Sequence, residues 1–137
     1  MTSVIIQIAS RYIRFLLVLF ALIALFRGHN LPGGGFIGGL LAGLSIVMKG
    51  FAYDIEKVRR QLWLQPEGFI ATGLSMILVS ALAGFILGEV WMTGLWTSVS
   101  LPLAGELKLG TPLLFDIGVF HAVIGVTLMF LFSLKKA

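Results

Sequence analysis

The sequence predicts an all-α integral membrane protein: a four-transmembrane-helix bundle with a broken Pro/Gly-rich connection between helices 1 and 2 and a small hairpin between helices 3 and 4. Three observations predict it. Of 137 residues, 58% are hydrophobic and 12% charged, with a mean hydropathy of +1.04, which is too apolar for a soluble domain of this size. Four stretches, roughly 4–27, 34–53, 68–90 and 113–134, reach the length that a hydrocarbon core of about 30 Å requires at about 1.5 Å per residue. They leave nothing over for a soluble part, so 1–137 reads as a single membrane domain. Finally, the positive charge is lopsided. With four spans, Arg11, Arg14, Lys49, Lys57, Arg59, Arg60, Lys135 and Lys136 share one side, and only Arg27 and Lys108 fall on the other. The positive-inside rule makes the first side, with both termini, cytoplasmic.

The first helix opens on Arg11 and Arg14 and has an uninterrupted apolar run only from Phe15 to Phe26, about 18 Å long and short for a bilayer. No small-x-small cleavage site follows, so it reads as a retained helix and not a signal peptide. Snorkelling of the two arginines toward the headgroups supplies part of the missing length. The rest draws the following segment, Arg27 to Phe36, toward the hydrocarbon. There, backbone freed from a helix must be satisfied by protein or by a water-lined cavity. Pro32 suits the first turn of the second helix, and Gly33, Gly34 and Gly35 permit close backbone approach.

The second helix carries Gly34, Gly38 and Ala42 on one ridge and Gly35, Gly39 and Gly43 on the next. Small residues four apart let membrane helices pack closely. The third helix repeats the device with Ser80, Gly84 and Gly88, and so much close-packing surface suggests partner subunits, with internal packing as the alternative. Between these helices, Ile55, Val58 and Leu62 fall at helical spacing, as in an extension of the second helix along the membrane surface with Trp63 in the interfacial belt. Alternating Leu101, Leu103, Leu107 and Leu109 around Gly105 predict the hairpin. The last helix begins near Thr111 and Pro112 and carries Asp116 in its first full turn.

Few residues can carry chemistry. Asp116 leads, because a carboxylate inside a spanning segment is costly and marks an ion or proton pathway by default. The alternative is an acid that caps its helix and complements the dipole. His29, with an ordinary pKa of about 6.5, is a proton-relay candidate on the same side, or else an interfacial histidine bonded to a carbonyl. Arg27 offsets Asp116 if the break folds back toward the last helix. His121, about 140° around the helix from Asp116, reads as packing or a local hydrogen bond, and Glu89 as an interfacial acid at the end of the third helix. Gly33, Gly35 and Gly38 spell a dinucleotide fingerprint, but a spanning helix precedes them where a strand is required. There is no cysteine, no nucleophilic triad, no phosphate-binding loop and no ligand cluster. No enzyme, cofactor, metal site or nucleic-acid partner is expected.

The run from Gly28 through His29, Asn30, Leu31, Pro32, Gly33, Gly34 and Gly35 to Phe36, with Gly38 and Gly39, resembles the signature of the MnhB/MrpB-type subunits of Mrp-type multisubunit sodium/proton antiporters. Phe115, Asp116, Ile117 and Gly118, followed by Val123 to Leu128, resemble that family's final helix, and the four-helix layout covers essentially the whole chain. The resemblance implies a non-autonomous subunit of a bacterial cytoplasmic-membrane complex that exchanges internal sodium for external protons. Larger subunits related to respiratory antiporter modules would carry much of the proton path. It also implies transport or assembly roles for His29, Pro32, Phe36 and Asp116. Similar subunits occur in membrane-bound hydrogenases. Two functions follow as expectations: a contribution to the ion or proton path through Asp116, His29 and Arg27, or a purely structural scaffold docked through its glycine ridges.

Overall fold

The computed structural model describes residues 4–28, 34–90, 93–101 and 105–136. Its elements are helices α1 (Val4–Arg27), α2 (Gly34–Ala52), α3 (Ile55–Gln61) and α4 (Pro66–Ile86), strands β1 (Trp96–Leu101) and β2 (Gly105–Gly110), and helix α5 (Thr111–Lys136). Four of the helices, α1, α2, α4 and α5, are long and apolar enough to cross a membrane. The hairpin is present: β1 and β2 pair antiparallel from Trp96↔Gly110 to Leu101↔Gly105.

The spanning helices pack in the order α1–α2–α5–α4, so the last helix is threaded between the second and the third. In lipid the hydrophobic effect does not drive such contacts, and close backbone approach does. The two glycine ridges of α2 serve two neighbours. A Cβ on Gly38 would meet Ala21 O of α1 at 2.8 Å, whereas a Cβ on Gly39 would meet Phe120 O of α5 at 2.8 Å, and one on Gly43 Thr127 Cβ at 2.9 Å. The expectation that these ridges await partner subunits is therefore corrected: the chain consumes them itself. The α4–α5 seam is as tight, with Gly73 facing Gly118 O and Ala122 N, each at 2.5 Å from a Cβ placed there.

Two of the expected packing glycines act otherwise. Gly84 is buried, but a Cβ there would meet Thr93 O at 3.1 Å and Val90 O at 3.3 Å, which belong to the segment following α4 and not to another helix. Gly88 has φ 83° and open space around its Cβ position. With Gly88 N donating to Phe85 O (3.1 Å) and Glu89 N to Gly84 O (3.0 Å), it is the left-handed residue of a Schellman cap. That cap ends α4 at Ile86, short of the residue 90 expected, because the carbonyls of the last turn are satisfied there.

At the opposite end the chain turns sharply. The segment after α2 is a separate helix and no extension: Asp54 caps α3, its Oδ1 accepting from Glu56 N at 3.0 Å. Val58 is buried, while Trp63 is exposed and meets Phe69 edge-on at 6.5 Å. Lys49 Nζ donates to Gln61 Oε1 at 2.7 Å, and Arg59 lies 5.5 Å above the Phe132 ring. These contacts fasten α3 beneath the main core, where Phe69, Ile124, Leu128, Leu131 and Phe132 are buried with Ile46, Val47, Ile55, Leu62 and Leu64 around them.

Candidate functional site

The site forms at the hairpin end. Helix α1 closes with Gly28 N donating to both Ala24 O (3.0 Å) and Leu25 O (3.2 Å). The start of α2 returns immediately against it: a Cβ on Gly28 would lie 2.5 Å from Gly34 Cα, and one on Gly34 would strike Gly28 Cα and sit 2.5 Å from Ala24 O. Both ends of the break are thus pinched together, which only glycine allows. His29, Asn30, Leu31, Pro32 and Gly33 lie outside the described residues, and with them the expectations resting on His29, Pro32 and Gly33. Phe36 is exposed on the outer face of α2.

Asp116 is brought to this pinch. A Cβ on Gly28 would be 2.7 Å from Asp116 Oδ2, and a Cβ on Gly35 would strike the Asp116 backbone carbonyl. Two glycines from opposite sides of the break therefore contact one aspartate, through its side chain and its main chain. The capping alternative is corrected here. Because α5 starts at Thr111 and has no acid in its first turn, Asp116 stands beyond the positions from which a side chain caps free amides.

Beside Asp116 opens a cavity of about 240 Å³ lined by Gly28, Ser80, Ala81, Gly94, Thr111, Pro112, Phe115 and Asp116. Its wall is held by a short polar chain. Ser80 Oγ donates to Thr111 O at 2.6 Å, Leu95 N donates to Thr111 Oγ1 at 3.1 Å, and Thr111 N donates to Leu95 O at 3.0 Å. By its spacing alone Ser80 is a packing residue; its buried hydroxyl instead ties α4 to the start of α5. The signal for this is a lone serine on an otherwise small and apolar ridge near a Thr-Pro helix start.

Arg27 is exposed in the last turn of α1, and among the described residues no ion pair joins it to Asp116. It complements the carbonyl end of the α1 dipole. His121 sits apart, as its helical angle requires. Its Nδ1 is 2.9 Å from Ile117 O, and since a carbonyl only accepts, that nitrogen carries the proton. The ring stacks on Phe69 at 6.2 Å. Glu89 is exposed. Among the described residues no three His, Cys, Asp or Glu side chains gather as a metal site. Among the described residues the arrangement is a small cavity bordered by one carboxylate.

Comparison with known proteins places the chain in a family. Residues 5–129 match the family model described as a domain related to the MnhB subunit of the Na+/H+ antiporter. The chain is 36% identical over 129 residues to the B-type subunit of the Na+/H+ antiporter of Bacillus subtilis (strain 168), covering 92% of this chain and 88% of that one. It is 29% identical over 134 residues to the corresponding B-type antiporter subunit of Alkalihalophilus pseudofirmus, with 98% and 93% covered. Among solved structures it superimposes on a chain of the Mrp complex from Dietzia sp. DQ12-45-1b with a TM-score of 0.75 and 33% identity. That match covers 91% of this chain but only 13% of the solved one, so the fold there is a short part of a much longer polypeptide. With the family model spanning most of its length, the chain belongs to the family related to the MnhB subunit of Na+/H+ antiporters.

Proposed function

We propose that this multi-pass membrane protein is a subunit of a multisubunit Na+/H+ antiporter in a bacterial cytoplasmic membrane, and that it contributes to the ion or proton path as well as to assembly. The observation that carries the reading is the placement of Asp116. Its carboxylate stands against Gly28 at the closed end of the helix break, beside a cavity of about 240 Å³. A carboxylate inside a spanning helix that borders a cavity is what a site for exchanging protons or passing a cation needs. His29 follows Gly28 directly in sequence and is the proposed relay partner. Arg27, exposed beside it, makes the local potential positive and so tunes how readily Asp116 takes up a cation or proton.

Charge placement supports the orientation: the α3 end, with Arg11, Lys49, Lys57, Arg59, Arg60, Lys135 and Lys136 against Arg27 and Lys108 at the other, faces the cytoplasm with both termini, and the hairpin end faces outward. The likeness to the solved Mrp complex favours an antiporter over a membrane-bound hydrogenase as host.

Antiport in everted vesicles carrying Asp116→Asn tests the reading, with assembly followed on native gels. The substitution keeps size and removes charge. Loss of Na+/H+ exchange in an assembled complex is expected. Full exchange with an intact complex would remove Asp116 from the path, and loss of assembly together with exchange would favour the scaffold function.

A further inference from the structure

Helix α1 lays one stripe on α2. Ser10 Oγ donates to Met48 O at 3.3 Å, and a Cβ on Gly38 would meet Ala21 O at 2.8 Å and Leu25 N at 3.4 Å. Arg14 belongs to that stripe, four residues after Ser10 and seven before Ala21. Interpolating between the two contacts places it level with about residue 44 of α2, which runs from Gly34 to Ala52. At about 1.5 Å per residue this is about 15 Å from one end and about 12 Å from the other, close to the middle of the span. The sequence predicts an arginine that snorkels to the headgroups. In the structure Arg14 is half-buried, and its Nε is buried with no hydrogen-bond partner among the described residues.

Among the described residues no helix or strand places an acid level with it. The chain's six carboxylates are Asp54, Glu56, Glu67, Glu89, Glu106 and Asp116. Asp116 is held at the hairpin end against Gly28 and Gly35, and Glu89 and Glu106 precede it in sequence, beyond the end of α4. Asp54 and Glu56 start α3 and Glu67 starts α4, all past the far end of α2. A guanidinium has five donors and stays charged, so at this depth it requires a counter-charge. α1 is also the least covered span, with 17% of its most apolar window buried against 39% for α2.

We propose that Arg14 is a docking residue: in the assembled antiporter a neighbouring subunit lays a transmembrane helix along α1 and pairs an Asp or Glu side chain with the Arg14 guanidinium. A lipid phosphate is the other anion available, but it would have to descend from the headgroup layer to the middle of the span. The proposal rests on the antiporter reading above.

The test uses the whole complex in mild detergent. A benzophenone-bearing residue in place of Val18, exposed and one turn from Arg14, is expected on illumination to attach this chain to a second subunit close to an acidic residue. Arg14→Met is expected to reduce the amount of this chain retained in the complex at least about tenfold, as removal of one partner of a buried ion pair does. Arg14→Lys retains more. Combining Arg14→Glu with an acid-to-Arg exchange at the cross-linked position restores retention, which a merely misfolded variant would not do. Adducts with lipid alone, or full retention of Arg14→Met, overturn the proposal. Absence of the wild-type chain from the complex would instead refute the antiporter reading, so the two failures are distinguishable.

Discussion

Replacing Gly35 by alanine probes how the aspartate is held. The new methyl carbon would strike the Asp116 carbonyl oxygen and lie 3.0 Å from the carbonyl carbon and 3.1 Å from Cα. Carbon–carbon contacts prefer about 3.5–4.0 Å. All three atoms are helix backbone, so none can rotate away, and α2 and α5 must part by about 0.5–1 Å for the contacts to relax. Overpacking of this kind costs about 1–3 kcal/mol, and it moves the Asp116 carboxylate away from Gly28 by a similar distance. The expected outcome is twofold. The Gly35→Ala chain leaves the purified complex at a lower temperature than the wild type, and everted vesicles exchange more slowly at equal amounts of complex. Wild-type thermal retention together with wild-type exchange would refute the clamp of Asp116 between the two ends of the break.

Two further substitutions separate backbone conformation from contact. Gly88→Ala meets nothing within 4 Å, so its cost is the left-handed φ alone, about 1–2 kcal/mol; Gly88→Asn should cost less, and antiport should be unchanged in both, as thermal retention and vesicle assays would report. Ser80→Ala removes the 2.6 Å bond to Thr111 O and should cost about 0.5–1.5 kcal/mol. It should also reduce exchange because the wall beside Asp116 loosens, whereas Ser75→Ala, whose hydroxyl bonds only within its own helix turn, should leave exchange intact.

Much of this architecture was legible in the sequence because its physical cause is local. Whether a segment spans a bilayer depends on the transfer free energy of its own side chains, summed over about 20 residues, so all four spans could be read directly. The hairpin was legible for a similar reason, since alternation around Gly105 is a period set by the strand itself. The break at Arg27 to Phe36 announced itself through glycine and proline chemistry, and the prominence of Asp116 followed from the cost of a carboxylate in hydrocarbon. The family signature lies in those same residues, which is why it too could be recognised.

Partnerships between segments were not legible. Nothing in α2 says that its first glycine ridge receives α1 and its second receives α5, because small residues at a four-residue spacing suit any close neighbour. The same ambiguity misassigned Gly84 and Gly88: a glycine that packs a helix and one that ends it look alike until the backbone dihedral and the following chain are known. Arg14 shows the limit most clearly. Its position near the start of an apolar run suggested snorkelling, yet depth is measured against the neighbouring helix, and only the Ser10–Met48 and Ala21–Gly38 contacts place it mid-span with a buried nitrogen. Composition and periodicity determined by themselves that the chain has four helices able to cross a membrane, with a Pro/Gly-rich connection after the first. The tertiary structure decided that α5 threads between α2 and α4, so that Gly28 and Gly35 close on Asp116. Burial in lipid is a property of each segment, whereas close backbone packing is a property of pairs.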